Sequence, residues 1–212
     1  MKSRTTKTLY SYWNALRGDR LAPARLEVDP GRLVNILSET FILERDRAGT
    51  FVFRLAGTRI CEQFGYELRG RDFTQMAGPG HTHILDQDLV AITNHGAVGV
   101  FELEASALDG RTVVFEAIVM PLQHTQAVIS RYLGSISVMG TPPPAWLGSV
   151  PLTPQTLRRN ELFWPAGGPP AVTEPGHQLP FSTATPASRI VRHERRQFRV
   201  FEGGRPAGET AE

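Results

Sequence analysis

Apolar residues recur along this chain with two periods, and the switches between them mark out the elements. Leu9, Tyr12, Trp13 and Leu16 fall at i, i+3, i+4 and i+7 within residues 6–18, one face of a helix that Gly18 is placed to end. Residues 19–28 hold Pro23 and read as an extended connector. Asp29-Pro30 puts a capping side chain before a proline at the first helical position, and Leu33, Ile36 and Leu37 give that short helix its apolar face. Residues 40–46 and 50–55 predict a hairpin around Arg47-Ala48-Gly49, with Phe51, Phe53 and Leu55 on one strand face by period 2. Residues 57–80 read as short helices and loops, and Gly57 and Gly65 sit where the chain must change direction. Residues 83–95 predict a helix with Leu85, Leu89 and Ile92 on one face. Three strand-like runs follow, over 97–108, 112–122 and 127–139. Asp109-Gly110 joins the first two as a tight hairpin, and Gln123-His124-Thr125-Gln126 joins the last two.

The sum is β-β-α-α-α-β-β-β behind an N-terminal amphipathic helix. Hairpin connections make the sheet antiparallel, and grouped strands and helices argue for an α+β fold. The character changes after Met139. Eleven prolines lie between residues 142 and 186, a density that blocks helix and central strand alike, apart from one short helix allowed over 154–164. Arg189, Arg192, Arg195, Arg196 and Arg199 then crowd against the single Glu194. The expected organisation is a helix and connector over 1–28, a domain over 29–140, a Pro-rich linker over 141–188 and a flexible basic tail over 189–212.

Particular residues sharpen the fold class. Tyr12-Trp13, Leu16-Arg17, Arg20, Pro23, Arg25 and Asp29-Pro30 follow one another at set spacing. Arg54-Leu55-Ala56-Gly57-Thr58, Phe64-Gly65, Glu67-Leu68-Arg69-Gly70, Phe115-Glu116 and Pro121-Leu122 continue the series. Over residues 9–139 this resembles the small stand-alone PAS-domain proteins of alphaproteobacteria. The resemblance implies a PAS fold, a five-stranded antiparallel sheet with helices on one side. It also implies a sensory or protein-interaction role with no established common ligand. Arg54 and Glu116 match family positions and are expected to pair as a structural salt bridge between strands.

Composition narrows the chemistry. The chain of 212 residues is 41% hydrophobic and 8% aromatic, enough for one packed core, and its formal net charge of +2 creates no strong overall field. The single cysteine, Cys61, excludes an intramolecular disulfide and CxxC redox chemistry and reads as a small core residue. The basic N-terminus lacks the apolar run of a signal peptide, and no window approaches a membrane span, so the expected compartment is the cytoplasm. PAS domains hold flavin or haem in some proteins. Cys61 lacks the Gly-Arg-Asn-Cys setting of a photoactive flavin domain, and His81, His83 and His95 read as turn or surface residues, so both cofactors are disfavoured. His81 and His83 with Asp86 and Asp88 match no metal-site spacing, and no phosphate-binding loop or nucleophile elbow is present.

Two functional readings follow. The first is a non-catalytic cytoplasmic sensor that binds a small molecule or a partner protein. Its cavity candidates are Phe41, Phe53, Leu55, Ile60, Phe64, Phe73, Leu89, Phe115 and Leu133, residues that serve equally as plain core. Leu9, Tyr12, Trp13 and Leu16 are its candidate homodimer surface, or a cap on the chain's own sheet. The alternative is a nucleic-acid or cyclic-dinucleotide binder acting through Arg192, Arg195, Arg196 and Arg199, with the front domain as a dimerisation platform. The tail resembles the opening of a PilZ domain, without the Asp/Asn-x-Ser-x-x-Gly loop that completes that site.

Overall fold

The computed structural model describes residues 1–124, 129–140, 142–165 and 167. The arginines of the basic tail and the Pro-rich residues 168–188 lie outside the described residues.

Helix α1 (Arg4–Arg17) starts at Ser3, whose Oγ accepts the Thr5 N–H at 3.1 Å, and stops at Gly18, whose φ of 57° ends the helical backbone. Short 3₁₀ turns over Arg25–Glu27, Pro30–Leu33 and Leu37–Glu39 carry the chain to β1 (Thr40–Arg45). β2 (Phe51–Ala56) returns from the Arg47-Ala48-Gly49 turn. α2 (Thr58–Phe64), a 3₁₀ turn over Phe73–Ala77 and α3 (Thr82–His95) follow, and then β3 (Val98–Ala107), β4 (Thr112–Gln123) and β5 (Ile129–Val138).

The strands form one antiparallel sheet in the order β2-β1-β5-β4-β3-β6. β6 (Leu152–Phe163) is a sixth strand, in a stretch that the proline density marks as linker or short helix. It pairs antiparallel with β3 along its whole length, with Leu157 opposite Leu103 and Leu152 opposite Ala107. Pro154 is tolerated because it lies beside a register shift on a strand that pairs on one side among the described residues. Arg158 pairs with Glu104 as the strand crosses.

Each face of the sheet buries its own cluster. α2, α3 and the 73–77 turn close one face over a core that includes eight of the largest buried aromatic rings among the described residues. α1, with Ala22, Val28 and Leu33 of the connector, covers Val98, Val100, Ile118, Met120, Leu122 and Leu133 on the other. Helices therefore cover both faces, with α1 alone on its side.

Candidate functional site

Seven of the nine sequence-derived cavity residues meet in the first core: Phe41, Phe53, Ile60, Phe64, Phe73, Leu89 and Phe115 are all buried there. Leu55 does not join them and is 49% exposed. The register of β1 against β2 shifts between Ile42 and Leu43, so Arg54 is the extra residue and Leu55 turns away from the face that Phe51 and Phe53 share. Leu133 also departs. Strand alternation puts it with Ile42 and Met120 beneath α1, while its neighbours Tyr132 and Gly134 face the helices α2 and α3.

The compartment between sheet and helices is filled by rings. Phe41, Phe53 and Phe73 form a triangle with centroids 5.4, 5.4 and 5.5 Å apart. Phe64 stacks on Phe115 at 4.8 Å, and Phe51 meets Tyr132 edge-on at 5.4 Å. Two strand glycines make the room. A Cβ on Gly134 would lie 2.1 Å from Cζ of Phe41, its cross-strand neighbour, and one on Gly99 would lie 2.5 Å from Cζ of Phe101. Phe51, Phe101 and Tyr132 belong to this core as fully as the expected residues. Their signal was the period-2 parity with Phe53, Leu103 and Gly134. The Tyr132 hydroxyl shares a 2.6 Å hydrogen bond with Thr93 Oγ1 of α3.

α1 is tied to its own sheet. Leu9 and Trp13 are fully buried, and Trp13 Nε1 donates to the Pro121 carbonyl at 2.8 Å. Tyr12 and Leu16 are half-buried, and the Tyr12 hydroxyl accepts the Asp29 N–H at 2.7 Å. A dimer formed on the Leu9–Trp13 face would have to lift it off the sheet. The N-terminal end of α1 is held by polar groups. Glu116 is only 1% exposed and accepts from the backbone N–H of Lys2 (2.6 Å) and Ser3 (2.8 Å). The expected Arg54–Glu116 pair is absent because β2 and β4 are not neighbours; Arg54 pairs with Glu44, which also takes Arg131.

Glu39 is the junction of three elements. Its carboxylate accepts from Thr5 Oγ1 of α1 at 2.5 Å, Arg59 of α2 at 2.9 Å and Ser137 Oγ of β5 at 3.0 Å. Burial pushes its carboxyl up, but the hydrogen bonds from Thr5, Arg59 and Ser137 outweigh it and hold the group below its ordinary value. Gly57 sets α2 against this junction. Its φ of −64° is ordinary, and its glycine is required by space, since a Cβ there would lie 2.3 Å from the Ser38 carbonyl oxygen. Beside Glu39 opens an outer cleft of about 900 Å³, lined by Lys2, Arg4, Arg59, Gln63, Ser137 and Pro143 among others.

The remaining candidates are separate from this cleft. Cys61 is half-buried, and burial pushes its thiol up, with the Glu67 carboxylate 3.4 Å away adding to the effect. His95 is exposed at the end of α3, and His81 contacts Thr156 at 3.3 Å. Among the described residues no helix is long and apolar enough to cross a membrane.

A protein-family model described as a PAS domain matches residues 1–137, a span that takes in α1 and ends at β5. No curated protein matches the chain. Among solved structures, the PAS domain of a protein from Colwellia psychrerythraea is 18% identical, with a TM-score of 0.39 over 52% of this chain and 96% of that one. The PAS domain of an HTR-like protein from Haloarcula marismortui is 17% identical, with a TM-score of 0.39 over 54% and 95%. The Rhodobacter sphaeroides LOV protein is 12% identical, with a TM-score of 0.41 over 54% and 70%.

Proposed function

Because this chain belongs to the PAS domain family, we propose that it is a non-catalytic sensor and relay module that meets its signal on its outer surface, by contact with a partner protein. PAS domains are signal-sensing domains, which supports the sensory role. The observation that carries the choice of surface is the filled core. Phe41, Phe53 and Phe73 occupy the space between sheet and helices where an internal ligand would lie, and Gly134 is shaped to receive the Phe41 ring. An internal ligand of even modest size would have to expel a buried ring, at a cost of several kcal/mol. Among the described residues no acid–base pair or activated nucleophile accompanies this core, and the Cys61 thiol is pushed away from the reactive thiolate.

Native mass spectrometry of freshly purified protein, beside a denatured control, tests the reading. The expected species carry the bare polypeptide mass. A copurified small molecule that is lost on denaturation would overturn it and make the protein an internal-ligand sensor.

A further inference from the structure

The outer cleft beside Glu39 has hydrogen-bonding chemistry that neither the core nor the docking of α1 uses up. Its carboxylates are spent as acceptors, while the buried Oε1 of Gln63 in its wall has no partner among the described residues. Glu39 receives Thr5, Arg59 and Ser137, and buried Glu116 receives the backbone N–H groups of Lys2 and Ser3, just ahead of α1. Its donors are in surplus. Arg59 uses one nitrogen on Glu39 and keeps its side chain 58% exposed, and Arg4, at the cleft rim, has no carboxylate partner among the described residues. Lys2 pairs with Glu102 at 2.7 Å and stays more than half exposed. A guanidinium carries five donors in a planar fork that matches a carboxylate or phosphate. A concavity of about 900 Å³ is within the range that accepts a small metabolite, and eight of the twelve residues that line this one are polar or charged.

We propose that this cleft is a binding site for a small oxyanion, a phosphate- or carboxylate-bearing metabolite, clasped by Arg4 and Arg59. Occupancy is read by α1. Arg59 and Thr5 share the Glu39 carboxylate, so an anion that draws the guanidinium toward itself alters the contact that pins the first turn of α1 to the sheet. The proposal goes beyond the surface-recognition reading above, which requires no ligand.

The test is a nuclear magnetic resonance titration of the full-length protein with inorganic phosphate and, separately, with citrate, at ionic strength matched by sodium chloride. Saturable shifts are expected at the Arg4 and Arg59 side-chain N–H groups and in the first turn of α1. Saturation by phosphate alone assigns the phosphate-bearing class, and by citrate alone the carboxylate class. Arg4→Gln and Arg59→Gln change exposed side chains and should each weaken binding about tenfold or more, the value of one charge-assisted hydrogen bond. Arg47→Gln, at the β1–β2 turn, should leave it unchanged. Non-saturating shifts with both anions, or affinities that Arg4→Gln and Arg59→Gln leave unchanged while thermal melts show them folded, would overturn the proposal.

Discussion

Gly134→Ala adds one methyl group at the tightest point of the aromatic core. The new Cβ would lie 2.1 Å from Phe41 Cζ and 2.4 Å from the Ile118 carbonyl oxygen. Carbon atoms in contact sit about 3.5–4.0 Å apart, so the ring would have to retreat by roughly 1.5 Å. It has nowhere to go, because Phe53 and Phe73 each stand with centroids 5.4 Å from it. The carbonyl belongs to β4 and moves only if the sheet spreads. The cost therefore falls at the upper end of the overpacking range, about 3 kcal/mol. For a chain of this size that corresponds to a fall in Tm of roughly 6–12 °C. Thermal and urea unfolding of Gly134→Ala, Phe41→Leu and the double variant measure it. Phe41→Leu shortens the ring that the methyl meets, so the double variant should be more stable than the sum of the singles by about 1 kcal/mol. A Tm shift below about 2 °C for Gly134→Ala, or strict additivity in the cycle, would refute the account of a ring seated on a glycine and with it the filled core.

Gly57→Ala should cost about 2 kcal/mol or more through contact with the Ser38 and Leu37 carbonyls, and faster amide exchange over residues 59–64 would report the loosened α2. The Glu39 carboxyl is depressed in the fold, so its contribution is full above the unfolded carboxylate value near about 4.3 and is lost as pH falls through the lower folded value. Glu39→Gln should thus lower the urea midpoint at neutral pH and flatten its decline in acid, leaving the slope supplied by the other depressed carboxyls, Glu27, Glu44, Glu67 and Asp109; an unchanged acid slope counts against the junction. Leu157→Asp sets a carboxylate opposite Leu103 and should cost more than about 3 kcal/mol, with loss of exchange protection in β3; a variant as stable as the parent would show β6 to be dispensable.

The parts of the fold that obey one period were legible in the chain. α1, α3, the β1–β2 hairpin and the Asp109-Gly110 hairpin stand where period and turn chemistry put them. β6 was hidden because its buried residues, Leu152 and Leu157, are five apart. Register shifts at Gln155 and Arg158 flip its parity, and Pro154 argues against a strand until the neighbouring bulge is known. The same cause misplaced Leu55, since no sequence period reveals the extra residue at Arg54. The outer cleft was unreadable for another reason. Its walls come from residues 2–5, 39, 59, 63, 137–140 and 143, and only the folded sheet brings these together.

The docking of α1 also sets a schedule. Trp13 finds its acceptor on Pro121, 108 residues later, and the N–H groups of Lys2 and Ser3 find Glu116 more than 110 residues on. At a synthesis rate of about 5–20 residues per second, α1 is left without its sheet for roughly 5–20 s. Through that interval Leu9 and Trp13 face solvent or whatever binds them first, so the nascent chain offers an amphipathic helix that the finished protein withdraws.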